Sequence, residues 1–133
     1  MKNKKILLII LIIFISSILS GCNLFSSEDL YPEAEIKDID IWGDYGEYTI
    51  TVELENDGGE GDVMLDMKGI ETGYPPEEHN IGSEIFPVPA DSGYIAEFKV
   101  EGNITFWKFH FELYNWNGEE FNKANKMEDV KPR

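Results

Sequence analysis

Residues 48–68 read YTITVELENDGGEGDVMLDMK, and this stretch decides the fold class. Ile50, Val52 and Leu54 alternate with Thr49, Thr51, Glu53 and Glu55, the period-two pattern of a strand with one buried face. Residues 57–61 (DGGEG) break that pattern, because glycine takes positive φ at no steric cost. Val63, Leu65 and Met67 then resume the alternation. The two strands and their turn are expected to pair as one hairpin.

The same alphabet runs outward in both directions. Upstream, residues 34–42 form a candidate strand whose inward set, Ile36 and then Ile39 and Ile41, changes parity. A bulge near Lys37 or Asp38 follows from that change. Tyr45 lies in a turn closed by Gly43 and Gly46. Downstream, Tyr74-Pro75-Pro76 rules out central strand pairing, and residues 80–88, ending among Pro87 and Pro89, read as an edge strand. Residues 94–101 alternate again through Tyr94, Ala96, Phe98 and Val100. Residues 104–116 form a long aromatic strand with expected inner face Trp107, Phe109, Phe111 and Leu113. Asn117-Gly118 turns into a last strand over residues 119–124. About seven short strands separated by turn signals imply an all-β, antiparallel β-sandwich. The sandwich is expected over residues 33–124, with residues 125–133 as a frayed tail.

The N-terminus has a different grammar. Lys2, Lys4 and Lys5 precede an apolar run from Ile6 to Ile15, the plan of a secretory signal helix. Residues 6–19 are too short for a membrane span, which needs about 20 apolar residues. Leu19-Ser20-Gly21-Cys22 resembles the lipobox of prokaryotic lipoproteins. That resemblance implies removal of residues 1–21 after Gly21 and lipidation of Cys22 as the new N-terminus. It also implies a place on the outer face of the cell membrane, and residues 23–32 (NLFSSEDLYP), polar and without periodic pattern, are expected to make residues 22–32 a flexible tether. Burial at about 0.8 kcal/mol per CH₂ makes a two-chain anchor stable. Cys22 is the sole cysteine, so no internal disulfide staples the fold.

Charge restricts the partners. The chain has 11 basic and 26 acidic residues, a net of −15. Loss of Lys2, Lys4 and Lys5 with the signal leaves 8 against 26, a net of −18. Such a surface repels phosphate backbones, so nucleic acid is excluded as a partner.

The phrases TITVELENDGGEGDVMLDM and VPADSGYIAEFKV add a second resemblance. They are similar to the immunoglobulin-like repeats of prokaryotic surface proteins, including the cell-adhesion-related (CARDB-like) domain. Asn56, Gly58 and Gly59 match the first turn of that pattern, and Pro89, Ala90 and Gly93 the second. The resemblance implies an immunoglobulin-like module that spaces, adheres or binds.

Residues able to do chemistry are sparse. The chain has two histidines, His79 and His110, and no Gly-x-Ser-x-Gly elbow. No catalytic set is expected. His79 beside Glu77 and Glu78 is a candidate zinc ligand, and Asp57, Glu60 and Asp62 have the composition of a calcium turn. Trp42, Tyr45, Tyr74, Phe106 and Trp116 fall at strand ends, turns or outward positions, which marks them as candidate partner contacts. The expected function is therefore a non-catalytic, lipid-anchored module engaging an envelope protein or polysaccharide. An accessory subunit of a surface complex and a calcium-dependent binder are the alternatives.

Overall fold

Alternating strands with one apolar face must bury that face against another layer. The computed structural model describes residues 30–133 and the backbone of Ile12–Ile15, and it shows how they do so. The strands are β1 (Ile12–Ile15), β2 (Ala34–Asp44), β3 (Glu47–Asn56), β4 (Gly61–Glu71), β5 (Glu77–Val88), β6 (Ser92–Glu101), β7 (Phe106–Trp116) and β8 (Phe121–Val130). One sheet has the order β1-β6-β3-β2 and the other β5-β4-β7-β8, with every pairing antiparallel. The chain crosses between sheets at the β3–β4, β5–β6 and β6–β7 connections, which makes β2–β8 an immunoglobulin-like antiparallel β-sandwich.

The hairpin expected over residues 48–68 does not form. β3 pairs with β2 and β6, whereas β4 pairs with β5 and β7 in the opposite sheet. Both inward faces are as the alternation predicts: Ile50, Val52, Leu54, Val63, Leu65 and Met67 are all buried in one core. They meet face to face across the sandwich. Alternation specifies which side of a strand is apolar, and two such strands satisfy it equally well edge to edge or stacked.

The Asn56 side chain makes the crossing. It is 1% exposed and the one buried polar side chain of the described core. Its Oδ1 accepts from the amides of Glu33 (2.8 Å) and Gly58 (3.0 Å), and its Nδ2 donates to the carbonyls of Gly59 (2.9 Å) and Pro89 (2.8 Å). Three connections are thereby tied at one point. Further along, the Asn115 amide exchanges two 3.1 Å hydrogen bonds with the Ala34 backbone. Asn125 does the same for Ile36, at 3.0 and 3.1 Å. These side-chain amides act as a substitute strand for the outer edge of β2. The expected bulge is on the other side of β2, at Ile36/Asp38 in its pairing with β3.

A second bulge redirects the aromatic strand. The β4–β7 register slips between Ile70 and Glu71, leaving Trp107 as the extra residue. Phe106 takes the inward place and is 5% exposed, while Trp107 is 40% exposed, with the Lys108 ammonium 4.5 Å from its ring centroid. Trp107 is thus not core, and Phe106 is not a free contact residue. Gly69 permits this arrangement, because a Cβ there would lie 2.6 Å from the Phe106 ring. The hydroxyl of Tyr48 clasps the same residue, accepting from the Phe106 amide (2.8 Å) and donating to its carbonyl (3.2 Å).

The C-terminus is also more ordered than its composition implies. β8 continues to Val130, Met127 and Val130 pack on the core, and the Arg133 amide bonds the Ile41 carbonyl (2.8 Å). Pairing with β7 supplies the order that a single apolar pair does not. Ile12–Ile15 is a strand beside β6; the rest of the expected signal helix lies outside the described residues.

Replacing Asn56 by Ala leaves two amides and two carbonyls without their partner, at a cost of about 3 kcal/mol. Urea unfolding of Asn56→Ala and Asn56→Asp measures this. Aspartate should not rescue, because it turns two donors into acceptors facing carbonyls, and losses below about 1 kcal/mol would remove Asn56 as the organising contact. Amide hydrogen exchange tests the edge latches separately: Asn125→Ala should accelerate exchange at Ile36, and Asn115→Ala at Ala34.

Candidate functional site

Antiparallel strands of 10–12 residues give the β2–β8 sandwich two ends, and the chain assigns them different jobs. At one end, here the base, residues 30–33 enter beside the loops 57–60 and 89–91. The Gly59 amide bonds the Tyr31 carbonyl and the Asp91 amide bonds the Gly58 carbonyl. The 117–120 turn is also there, with Gly118 against Tyr31. The opposite end, the crown, carries the β2–β3 turn, the 72–76 loop, the 102–105 loop and residues 131–133. Gly102 bonds Gly46 and Arg133 bonds Ile41 across it.

Three of the five candidate aromatics sit on the crown. Tyr45, at a φ of 51° in the β2–β3 turn, is 81% exposed, and Trp42 is 53% exposed. Tyr74 projects fully into solvent beside the cis Tyr74-Pro75 bond. Trp42 is held in place: its indole donates to Asp40 (2.8 Å), the Arg133 guanidinium lies 5.4 Å from its ring centroid, and Arg133 pairs with Asp40 at 2.7 Å. Trp107 adds a further exposed ring that the parity reading had placed inside. Phe106 lies beneath this surface, and Trp116 is at the base, half-buried against Phe121 (5.1 Å between centroids).

Below the crown rim, β4 and β5 bring three ligating side chains together. Glu71 lies opposite Glu77 and Gly69 opposite His79, so alternation sends the two glutamates and the imidazole to one side of the hairpin. His79 Nε2 is 2.9 Å from Glu71 Oε1 and 3.7 Å from Glu77 Oε2. The His79 and Glu71 side chains are about four-fifths buried, whereas Glu77 is largely exposed. Phe106 backs the imidazole edge-on at 5.8 Å. Glu78 points to the other face of β5, where it pairs with Lys68 at 3.7 Å. The expected His79 partnership therefore holds for Glu77 and shifts from Glu78 to Glu71. Folding the chain back around the Tyr74-Pro75-Pro76 turn would have found Glu71, since it is the residue facing Glu77.

Asp57, Glu60 and Asp62 are exposed at the base and do not converge; among the described residues, Glu71, Glu77 and His79 are the one group of three within ligating reach. Gly21 and Cys22 lie outside the described residues. His110, on the outer face, accepts from the Asp129 amide. On that face too, Tyr114 donates to Glu112 (2.7 Å), which pairs with Lys123 at 3.0 Å. These contacts hold the Glu112 carboxyl below its usual range and push the Tyr114 phenol up to about 12. They brace β7 against β8. A groove of about 320 Å³ runs over Lys37, Glu55 and Asp91 at the base and is open to solvent.

No family model and no curated protein sequence matches the chain. Among solved structures it is similar to a beta-glucosidase from Kluyveromyces marxianus, at 14% identity and a TM-score of 0.41. The match covers 80% of this chain and spans 15% of the length of that one.

Proposed function

We propose that this protein is a membrane-anchored, extracytoplasmic lipoprotein whose immunoglobulin-like domain is a non-catalytic binding module for an envelope protein or polysaccharide. The observation that carries the reading is the placement of the aromatics. An anchor at Cys22 reaches the domain at its base, through residues 22–32, so the crown with Trp42, Tyr45 and Tyr74 faces away from the membrane. Exposed aromatic rings are among the side chains that contribute most at binding surfaces. The surrounding acidity favours a basic protein face or a neutral polymer over anything rich in phosphate.

An accessory role in a surface complex is the second reading, and it rests on a different feature. β6 has β3 on one side and Ile12–Ile15 on the other, its contacts running from Ile95 to Phe98. Removal of residues 1–21 takes that neighbour away and leaves an edge able to accept a partner strand.

Two experiments test these statements. Cells fed radiolabelled palmitate should label the wild-type protein and not Cys22→Ala; an unlabelled wild type removes the anchor. Cross-linking in intact cells, followed by mass spectrometry, should recover one recurrent partner or wall polymer. Capture should fall at least about tenfold in the double variant Trp42→Ala/Tyr45→Ala, the scale of a lost hot spot. Trp116→Ala, at the base, should capture as wild type. Loss of capture on introducing proline into residues 95–98 instead, with the crown variants unaffected, would select the accessory reading.

A further inference from the structure

We propose that Glu71, Glu77 and His79 form a binding site for one divalent metal ion of the zinc class, placed at the rim of the core beneath the crown. The reading does not depend on the lipid anchor or on any partner.

The convergence exceeds what an ion pair requires. Nε2 of an imidazole carries at most one proton, yet two carboxylates are directed at it, at 2.9 and 3.7 Å. One divalent cation can take a donor atom from the imidazole and from both carboxylates at once.

The dimensions fit. An ion about 2.1 Å from each donor holds donor atoms roughly 3.0–3.5 Å apart, from tetrahedral or octahedral angles. The two distances from Nε2 bracket that range, and all three ligand atoms lie within 4.8 Å of one another. The residual gap falls to Glu77, the most exposed of the three, whose side chain is free to rotate inward. Its partners are preset: Phe106 backs the ring, and the β4–β5 pairing fixes Glu71 across from Glu77. A shallow depression of about 160 Å³ lined by Glu71, Thr72, Gly73, Pro75 and Glu77 gives the ion a route from solvent.

Donor chemistry selects the ion. One imidazole and two carboxylates suit zinc and its neighbours in the first transition row, and calcium asks for six to eight oxygens. Three protein ligands leave at least one coordination position to water or to a donor group from outside.

The decisive measurement is zinc titration of the full chain in detergent, against a background of millimolar magnesium and calcium to saturate the acidic surface. Wild type should bind one Zn²⁺ per chain with micromolar affinity. His79→Ala and Glu71→Gln should each weaken it by at least about tenfold, the cost of losing even an outer-shell partner. Glu78→Gln, on the opposite face, should bind as wild type. Circular dichroism confirms that each variant is folded. Cobalt supplies an independent readout, since its visible absorption bands should appear with wild type and vanish with His79→Ala. Absence of stoichiometric zinc binding overturns the proposal, and so does binding by His79→Ala equal to wild type, which would place the ion on Cys22 or the acidic coat.

Discussion

The side-chain amide of Asn56 holds the fold at the point where the chain must leave one sheet for the other. A buried amide is costly unless both its oxygen and its nitrogen are satisfied. Here two backbone amides and two backbone carbonyls, from three separate connections, do so at 2.8–3.0 Å. The geometry draws the 57–60 and 89–91 loops and the entering segment into one knot. With β3 and β4 directed into opposite sheets there, their apolar faces stack and close the core. Sheet closure on the far side uses the same chemistry in Asn115 and Asn125, which offer β2 the donors and acceptors a neighbouring strand would have provided. No disulfide is available for these tasks, and amide side chains perform them.

Bulges convert that scaffold into a surface. An uninterrupted β7 would bury Trp107 with Phe109 and Phe111, and the slip at Ile70/Glu71 substitutes Phe106. Phe106 then needs room, which Gly69 supplies, and polar satisfaction of its backbone, which Tyr48 supplies. One irregularity thus turns a tryptophan outward, seats a phenylalanine under the crown and sets the wall against which His79 rests. Crown features and core packing are consequently coupled at Phe106, where a change on either side is felt by the other.

Separation of base and crown has an electrostatic side. Lysines pair with acids along the outer faces, as in Lys68–Glu78, Lys108–Asp129 and Lys123–Glu112. Glu71 and Glu77 share the His79 imidazole as a neighbour. Exposed pairs of this kind add little stability. Their effect is on how charge is distributed over the surface.

Composition and alternation determined a good deal by themselves: an all-β class, the inward sets of β2, β3, β4 and β6, the bulge after Ile36, the edge position of β5 and the breaking of structure at Tyr74-Pro75-Pro76. All are local, set by φ/ψ preference and by the side of a pleat on which an apolar residue falls. Tertiary structure alone decided which strands pair, because edge-to-edge and face-to-face arrangements bury the same alternating faces. It decided that Phe106 replaces Trp107, since a one-residue slip is invisible in the aromatic run that tolerates it. Order in residues 125–130 came from a partner strand that their own composition does not demand. Glu71 joined His79 for the same reason: six residues from Glu77 in the chain, it is opposite Glu77 only once the hairpin has closed. The lipobox resemblance, by contrast, is carried wholly by local residues, and the fold of the domain neither adds to it nor subtracts from it.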